Sequence, residues 1–324
     1  MDSIIIIGFS YSKIDKYTDR PYLHGILIDM YRAYNYSYKL LNSTDKGIND
    51  QRSNNKDSNT QGTDTQRSNT KSIKIITDLH IDLTFNEIKD SIIDSIVDAE
   101  VINFISQMRK NGFLIDYTSK QQLLEELSNA VLGKKRIFFY YTGHANNGNI
   151  LLPLMNDLIS YRCTTQDAII NLSNIRDILS SGSRNSAEIF VILDCCNSNG
   201  LDLPYKLVDK VYRLTSKSNK EYPYQKIICF SSTNIDENSI ASKKGSIFSH
   251  YLFELLGKSR NIGSLLSEIN KECAGQYNQT ATVYSSYPDL KILWRWMCST
   301  DSDVVNIKLN CVENYFILKK MSQL

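Results

Sequence analysis

Short apolar runs that stop abruptly at polar residues divide this sequence into strand-like segments. Residues 3–9, 73–77, 136–141, 189–193 and 226–232 are nearly continuous apolar runs, rich in β-branched and aromatic side chains. Such runs are typical of strands that are buried on both faces of a parallel sheet. The sequence therefore predicts a central, mostly parallel sheet of four or more strands.

Between these runs, apolar residues recur every three or four positions, which is the spacing of helices with one buried face. The helical pattern covers residues 26–38, 88–110, 121–131, 169–179, 247–256 and 262–269. Asn111-Gly112 indicates the end of the second helix, and Thr118 or Ser119 the start of the third. Strands that alternate with helices predict an α/β fold with helices on both faces of the sheet.

A polar segment at about residues 43–72 interrupts the first strand–helix–strand unit. It repeats Gln-Arg-Ser-Asn at 51–54 and 66–69 and offers almost nothing that a core can bury. We predict a disordered insertion within a single domain of residues 1–297. Residues 298–324 are predicted to form a C-terminal extension.

Composition and charge limit the kinds of protein that this chain can be. A chain of 324 residues with 42% hydrophobic residues can form one large core, and a net charge of +2 gives no field that favours nucleic acid or membrane partners. Seven cysteines are too sparse, and odd in number, for a disulfide framework. The first apolar run is too short for a signal peptide or a membrane span. We therefore expect a cytoplasmic protein with free thiols.

Two of the predicted strands end in side chains that can carry chemistry. His144 follows the run at 136–141, and Cys196 follows the run at 189–193. Parallel strands bring their carboxyl ends to one edge of the sheet, so the two side chains are expected to lie close together. An imidazole beside a thiol can take its proton or hold the thiolate. The sequence thus predicts a Cys–His catalytic dyad.

The turn around His144 also predicts amide donors. Gly143 lets the backbone turn sharply beside the imidazole. The N–H groups of Cys196 and of the turn that includes Gly143 and Ala145 are expected to face a developing oxyanion.

Both strand ends resemble motifs of the metacaspases, caspase-like cysteine peptidases of clan CD. Tyr140-Tyr141-Thr142-Gly143-His144-Ala145 resembles their Tyr-Ser-Gly-His-Gly motif, and Asp194-Cys195-Cys196-Asn197-Ser198 resembles Asp-x-Cys-His-Ser-Gly. The resemblance extends more loosely from Ile4 to about Leu290. It implies a caspase-like three-layer sandwich and an endopeptidase in which His144 is the general base or acid. The nucleophile is then Cys196 and not Cys195.

The resemblance further implies a pocket for the substrate residue that precedes the scissile bond. Asp194 and Thr142 line this pocket, and Leu23-His24-Gly25-Ile26-Leu27-Ile28-Asp29 resembles the Leu-x-Gly-Cys-x-Asn-Asp motif that supplies a second carboxylate, Asp29. Asp98, which precedes Ala99, is the alternative. Two carboxylates favour Arg or Lys through charge-assisted hydrogen bonds. The expected partners are protein or peptide substrates cleaved after these residues.

Departures from the family's motifs support a second interpretation. Ala145, Asn197 and Asn199 stand where the family has Gly, His and Gly. The alternative is a caspase-like protein with a weak or silent site that acts as an interaction module. The acidic calcium-binding run of many metacaspases is absent from the sequence, and adjacent cysteines lack the spacing of a zinc site. We therefore expect no metal, no cofactor, no calcium dependence, no nucleic acid or membrane partner, and a monomer.

Overall fold

The computed structural model describes residues 1–11, 23, 25–49, 71–78, 97–153, 168–208, 211–216, 225–234, 236–242, 244–259, 261–277 and 279–288. In chain order, the helices and strands are β1 (Ser3–Gly8), α1 (Ile26–Asn49), β2 (Ser72–Thr77), α2 (Val97–Lys110), β3 (Leu114–Asp116), α3 (Lys120–Val131), β4 (Arg136–Thr142), β5 (Ala145–Asn146), β6 (Asn149–Leu151), β7 (Ile169–Asn171), α4 (Leu172–Gly182), β8 (Glu188–Asp194), β9 (Tyr205–Val208), β10 (Val211–Leu214), β11 (Lys226–Ser231), β12 (Ala241–Ser242), β13 (Gly245–Ser246), α5 (Ile247–Leu255), α6 (Ile262–Tyr277) and β14 (Thr282–Ser285). A short 3₁₀ turn spans Gly200–Asp202.

Nine of the described strands form one sheet in the order β10-β9-β14-β11-β8-β4-β1-β2-β3. β5, β6 and β7 form a three-stranded sheet, and β12 pairs with β13. The six strands from β11 to β3 are parallel, and β14, β9 and β10 extend the sheet through antiparallel pairs. All five predicted strands are confirmed and lie in the parallel part. The three antiparallel strands were not predicted from the sequence, because they are only four residues long.

Helices cover both faces of the sheet. Successive residues of β1 alternate between two hydrophobic clusters, with Ile4 and Ile6 on one face and Ile5 and Ile7 on the other. The first cluster includes buried residues of α1, α2, α5 and α6, and the second those of α3 and α4. This alternation explains the continuous isoleucine run, since neither side of β1 faces water. The predicted three-layer α/β sandwich is confirmed.

The predicted helix ends agree with the structure. The N–H groups of Gly112 and Phe113 donate back to carbonyls of the last turn of α2, with Gly112 at a φ of 69°. Ser119 is the N-cap of α3, and its hydroxyl accepts from the N–H of Gln122 at 3.2 Å. This contact decides between Thr118 and Ser119 in favour of Ser119.

Some sequence predictions shift or cannot be placed. The backbone of α1 continues to Asn49, past the predicted start of the insertion at residue 43, and β7 occupies the first residues of the helix predicted at 169–179. Residues 50–70 of the predicted insertion and the predicted extension 298–324 lie outside the described residues. None of the described helices is both long enough and apolar enough to span a bilayer.

Candidate active site

β4 and β8 are neighbouring parallel strands whose last residues are paired. Thr142 of β4 lies opposite Asp194 of β8 in the register of the sheet. His144 and Cys196 each follow two residues later, so their loops leave the same edge of the sheet at the same level. The structure therefore brings the predicted imidazole and thiol into neighbouring loops.

Two backbone hydrogen bonds join the loops that follow β4 and β8. The N–H of Gly143 donates to the carbonyl of Asp194 at 3.4 Å, and the N–H of Gly148 donates to the carbonyl of Asn197 at 3.3 Å. These bonds involve only main-chain atoms. The relative position of the two loops is therefore set by the backbone rather than by the candidate catalytic side chains.

The loop after β4 continues as a tight hairpin of β5 and β6. Its Asn-Gly turn at 147–148 has φ angles of 47° and 74°, the left-handed pair that such turns favour. The N–H of Leu151 donates to the carbonyl of His144 at 3.0 Å, so the next pair, Ala145 with Ile150, is of the non-hydrogen-bonded type. The N–H of Ala145 consequently points away from β6.

The structure separates the two predicted oxyanion donors of this turn. The N–H of Gly143 already donates to a carbonyl of the neighbouring loop, and the N–H of His144 donates to the Tyr11 hydroxyl at 3.0 Å. The N–H of Gly143 is therefore engaged within the fold, and its role as an oxyanion donor stays a prediction. Gly143 also makes a close turn at a φ of 155°, where a Cβ would lie 2.6 Å from the Tyr141 hydroxyl. The role of Ala145 stays a prediction.

The Cys196 thiol is partly buried and hydrogen-bonded. Its sulfur accepts from the backbone N–H of Ser239 at 3.2 Å. Burial raises the pKa of Cys196, the Ser239 N–H lowers it, and the nearby Asp194 carboxylate raises it, with a net upward shift. The thiol is therefore protonated at neutral pH, and it needs a base before it can act as a nucleophile.

Asn197, which replaces the family's His, holds the loop after β11 beside the thiol. Its backbone N–H donates to the carbonyl of Glu237 at 3.1 Å, and its side-chain oxygen accepts from the N–H of Asp236 at 2.6 Å. Asn197 has a φ of 50°, a conformation that Asn tolerates better than most residues. The departure from the motif thus has a structural role in this chain.

Cys195 differs sharply from its neighbour. It is 1% exposed within the core, and burial raises its pKa well above the ordinary value. Its N–H donates to the Ser232 hydroxyl at 3.1 Å, and its carbonyl accepts from the hydroxyls of Ser232 and Thr233 at 3.0 Å. The prediction that Cys195 is a packing residue is confirmed.

The structure brings two of the predicted pocket carboxylates together. Asp29 in the first turn of α1 and Asp194 at the end of β8 are both fully buried, and Ser246 bridges them. Its N–H donates to Asp29 Oδ2 at 2.8 Å and its hydroxyl to Asp194 Oδ1 at 2.9 Å. Burial raises the pKa of both carboxyls, and the proximity of Asp194 adds to the shift of Asp29. Thr142, buried opposite Asp194, completes the group.

Donors from the same chain already bind these carboxylates. Asp29 Oδ1 forms an ion pair with Arg32 Nη1 at 3.0 Å, and the Arg32 side chain is only 12% exposed. Asp194 accepts from the Ser239 hydroxyl at 3.0 Å and from the Ser249 hydroxyl. A substrate cation must therefore displace or share donors that the folded chain supplies.

Asp98 lies in a different part of the fold. Its side chain is outside the described residues, but the backbone places it in α2, which packs on α1 and β3. β3 is the edge strand, separated from β8 by three strands. This arrangement favours Asp29 as the partner of Asp194. Among the described residues, no three His, Cys, Asp or Glu side chains are grouped so as to hold a metal ion.

Four residues that contact the predicted site residues were not predicted from the sequence. Ser246 is the N-cap of α5 and precedes an apolar run, a signal that was available. Arg32 lies three residues after Asp29 on one helix, also a recognisable spacing. Tyr11 and Ser239 carry no local signal, since their importance depends on contacts with distant loops.

Comparison with known proteins assigns the family. A model of the caspase domain matches residues 82–292, which is more than half of the chain. The chain belongs to the caspase domain family. Both strand-end motifs of this caspase domain lie within the matched range, whereas β1 and Asp29 precede it.

Solved structures with low sequence identity also match this caspase domain. Protein GSU0716 from Geobacter sulfurreducens has 13% identity and a TM-score of 0.35, covering 58% of this chain and 83% of its own. Caspase-1 from Spodoptera frugiperda has 11% identity and a TM-score of 0.44, covering 88% of this chain and 86% of its own. No curated protein sequence matches the chain.

Proposed function

We propose that this caspase-domain protein is a cysteine endopeptidase of the metacaspase type that cleaves after Arg or Lys. The observation that carries the proposal is the position of His144 and Cys196, each two residues beyond the paired ends of β4 and β8. Burial raises the pKa of the thiol, so the nucleophile depends on a neighbouring base. The imidazole of His144 is the base that the adjacent loop supplies.

In the proposed reaction, His144 takes the proton of Cys196, and the thiolate attacks the carbonyl carbon of the scissile peptide bond. The N–H groups of Cys196 and Ala145 donate to the oxyanion that forms. The C–N bond then breaks, the imidazolium gives its proton to the leaving amine, and a thioester remains on Cys196. His144 next takes a proton from water, whose oxygen attacks the thioester, and the acid product leaves as the thiol regains its proton.

Specificity for a basic side chain follows from the two carboxylates at the proposed pocket. Asp29 and Asp194 lie close enough for Asp194 to affect the pKa of Asp29, and Ser246 binds both. An incoming guanidinium can form bidentate hydrogen bonds with such a site, whereas an acidic substrate side chain is repelled. We propose further that the enzyme is a cytoplasmic monomer that needs neither metal nor cofactor.

A panel of fluorogenic peptide amides tests this function. Peptides with Arg, Lys or Asp before the scissile bond are assayed with calcium and with a chelator. We expect hydrolysis of the Arg and Lys peptides alone, equally in both conditions. Cys196→Ala is expected to lower kcat by about 10⁴-fold or more, while the matched variant Cys195→Ala keeps most of it. Preference for Asp, or equal losses in both variants, contradicts the proposal.

A caspase-like interaction module is the second candidate. The observation that favours it is that Arg32 and several serine hydroxyls already bind the pocket carboxylates. The rate of alkylation of Cys196 by iodoacetamide separates the two functions, because it requires no substrate. A thiol that reacts no faster than free cysteine at any pH from 6 to 9 favours the interaction module.

A further inference from the structure

We propose that Tyr11 is a positioning residue for His144, and that Asp78 holds Tyr11 in place. This inference rests on the proposed Cys–His mechanism and adds a residue to it. Tyr11 follows β1, Asp78 follows β2, and His144 follows β4, so the three come together only because these strands are adjacent in the sheet.

The hydroxyl of Tyr11 is inserted into the hairpin that carries His144. It accepts from the N–H of His144 at 3.0 Å and donates to the carbonyl of Leu151 at 2.6 Å. The reverse bond of the same pair, from the Leu151 N–H to the His144 carbonyl, is direct at 3.0 Å. One ladder hydrogen bond is thus replaced by a bridge through a side chain. The insertion sets how far β5 opens from β6 at His144.

A second hydroxyl binds the next peptide group, between His144 and Ala145. Tyr141 donates to the carbonyl of His144 at 2.7 Å, and its oxygen lies 3.4 Å from that of Tyr11. The N–H and the carbonyl of His144 are therefore each bound to a buried tyrosine. Movement of this backbone requires one of these buried hydrogen bonds to break.

Tyr11 also contacts the imidazole directly. The centroids of the Tyr11 and His144 rings are 4.6 Å apart, with an angle of 42° between the ring planes. Tyr11 is 1% exposed, so the imidazole packs on a side chain that has no room to move. Packing against a fixed ring restricts the side-chain rotation of His144.

The backbone of Tyr11 is itself held in an uncommon conformation. Tyr11 has a φ of 60°, in the left-handed region that bulky residues rarely adopt. The buried carboxylate of Asp78 accepts from the N–H of Tyr11 at 2.6 Å and from the N–H of Ser10 at 2.7 Å. A carboxylate bound to two successive N–H groups supports this conformation. This uncommon conformation lies at the residue that contacts His144.

Tyr11→Phe tests the inference by removing only the hydroxyl. Tyr36→Phe is the matched control, since Tyr36 is a buried tyrosine that packs on Phe138 and Phe253 on the opposite face of the sheet. We expect Tyr11→Phe to lower kcat by about 10- to 100-fold, with KM changed less than about twofold, because a base displaced by about 1 Å has this effect. Tyr36→Phe is expected to keep the wild-type kcat.

Two further readouts distinguish positioning from folding. The pH profile of Cys196 alkylation, followed by mass spectrometry of the labelled peptide, is expected to shift in Tyr11→Phe and not in Tyr36→Phe. The ¹⁵N chemical shifts of the His144 ring are expected to change in the same variant only. Asp78→Asn, which weakens the support of Tyr11, is expected to shift both readouts in the same direction by a smaller amount.

The outcomes separate this inference from the proposed function. If the wild-type protein hydrolyses no peptide of the panel, the proposed function fails, and the His144 shifts still decide the role of Tyr11. Unchanged His144 shifts and an unchanged alkylation profile in Tyr11→Phe overturn the inference. The inference is also overturned if the activity of Tyr11→Phe falls only in proportion to its folded fraction and the activity of Tyr36→Phe falls by the same amount.

Discussion

At the scale of single residues, the most informative contact is the ion pair between Asp29 and Arg32. Both side chains are nearly inaccessible, and Gly245 lies so close that a Cβ there would be 2.3 Å from Asp29 Oδ1 and 2.6 Å from Arg32 Nη1. Burial raises the pKa of Asp29, and the Arg32 guanidinium lowers it. Arg32 thus occupies one oxygen of the carboxylate that the proposed function assigns to substrate binding.

Arg32→Met is expected to destabilise the fold strongly, because it leaves a buried carboxylate without its cation. Breaking a buried ion pair on one side costs about 3–5 kcal/mol. Loss of Arg32 raises the pKa of Asp29 further, so the loss of unfolding free energy is expected to be larger at pH 8 than at pH 5. Urea unfolding at both pH values measures it. The double variant Asp29→Asn with Arg32→Met is expected to recover much of the stability, and failure to do so contradicts the pairing.

The single variant Arg32→Met also tests the substrate specificity. With Arg32 removed, Asp29 Oδ1 becomes available to a substrate guanidinium, so KM for an Arg peptide is expected to fall in the fraction of protein that remains folded. A lysine peptide is expected to gain less, because a single ammonium cannot replace the guanidinium geometry. Unchanged KM values for both peptides contradict a substrate role for Asp29.

At the scale of elements, the β5–β6 hairpin positions the candidate base. Gly148 has a φ of 74°, donates to the carbonyl of Asn197, and lies so close to Asn199 that a Cβ would be 2.6 Å from its Nδ2. Gly133, after α3, has a similar φ of 67° and open space around its Cα. The two glycines therefore share a backbone requirement and differ in what surrounds them.

Gly148→Ala is expected to lower both stability and kcat, whereas Gly133→Ala lowers stability alone. Each substitution carries about 1 kcal/mol of strain from the left-handed backbone. In Gly148→Ala either the Asn199 side chain, which donates to Asp202 at 2.8 Å, or the hairpin must also shift. We expect the hairpin to shift, to displace His144 and to reduce kcat about tenfold or more. Denaturant unfolding and steady-state kinetics on both variants check this. Equal effects of the two variants on kcat exclude a positioning role of the hairpin.

The helices and strands explain which parts of the site the sequence predicts and which parts it cannot. Local signals were sufficient for His144 and Cys196, because each follows an apolar run whose end is visible in the sequence. The contacts that complete the site span long stretches of chain, with Ser246 217 residues from Asp29 and Tyr11 133 residues from His144. No periodicity encodes such contacts, which arise only when strands pair. The Asn-Gly turn at 147–148, by contrast, is a local hairpin signal that the sequence carries.

At the scale of the whole molecule, buried carboxyl groups are concentrated near the carboxyl edge of the sheet. Asp29, Asp78 and Asp194 are each at most 3% exposed, and burial raises the pKa of all three above the ordinary value of an aspartate. Glu237, in the loop beside Cys196, differs. Burial raises its pKa, but hydrogen bonds from Asn234 and Thr280 together bring it below the ordinary value.

These shifts predict that the fold is more stable in mild acid than at neutral pH. A carboxyl group with a raised pKa in the folded state binds more protons folded than unfolded, so its contribution is fully present below about pH 4 and is lost as the pH rises through the folded pKa. Glu237 acts in the opposite sense, and its contribution is lost as the pH falls through its lowered pKa. His250, whose pKa burial lowers to about 4, acts in the same sense as Glu237. Three raised groups outweigh these two lowered groups, so the unfolding free energy is expected to decrease from about pH 5 to pH 8.

Asp194→Asn and Glu237→Gln test which groups cause this pH dependence, because the two side chains contribute to it with opposite signs. The serine hydroxyls around Asp194 can reorient toward an amide, so Asp194→Asn is expected to fold and to show a shallower decrease of unfolding free energy between pH 5 and pH 8. Glu237→Gln removes a contribution that is lost on acidification, so the change in its unfolding free energy from pH 5 to pH 4 is expected to be more positive than that of the wild type. Urea unfolding at half-unit pH steps resolves both slopes. A wild-type slope in Asp194→Asn would mean that Asp194 stays ionised in the folded protein. The proposed pocket would then carry a full negative charge before any substrate binds.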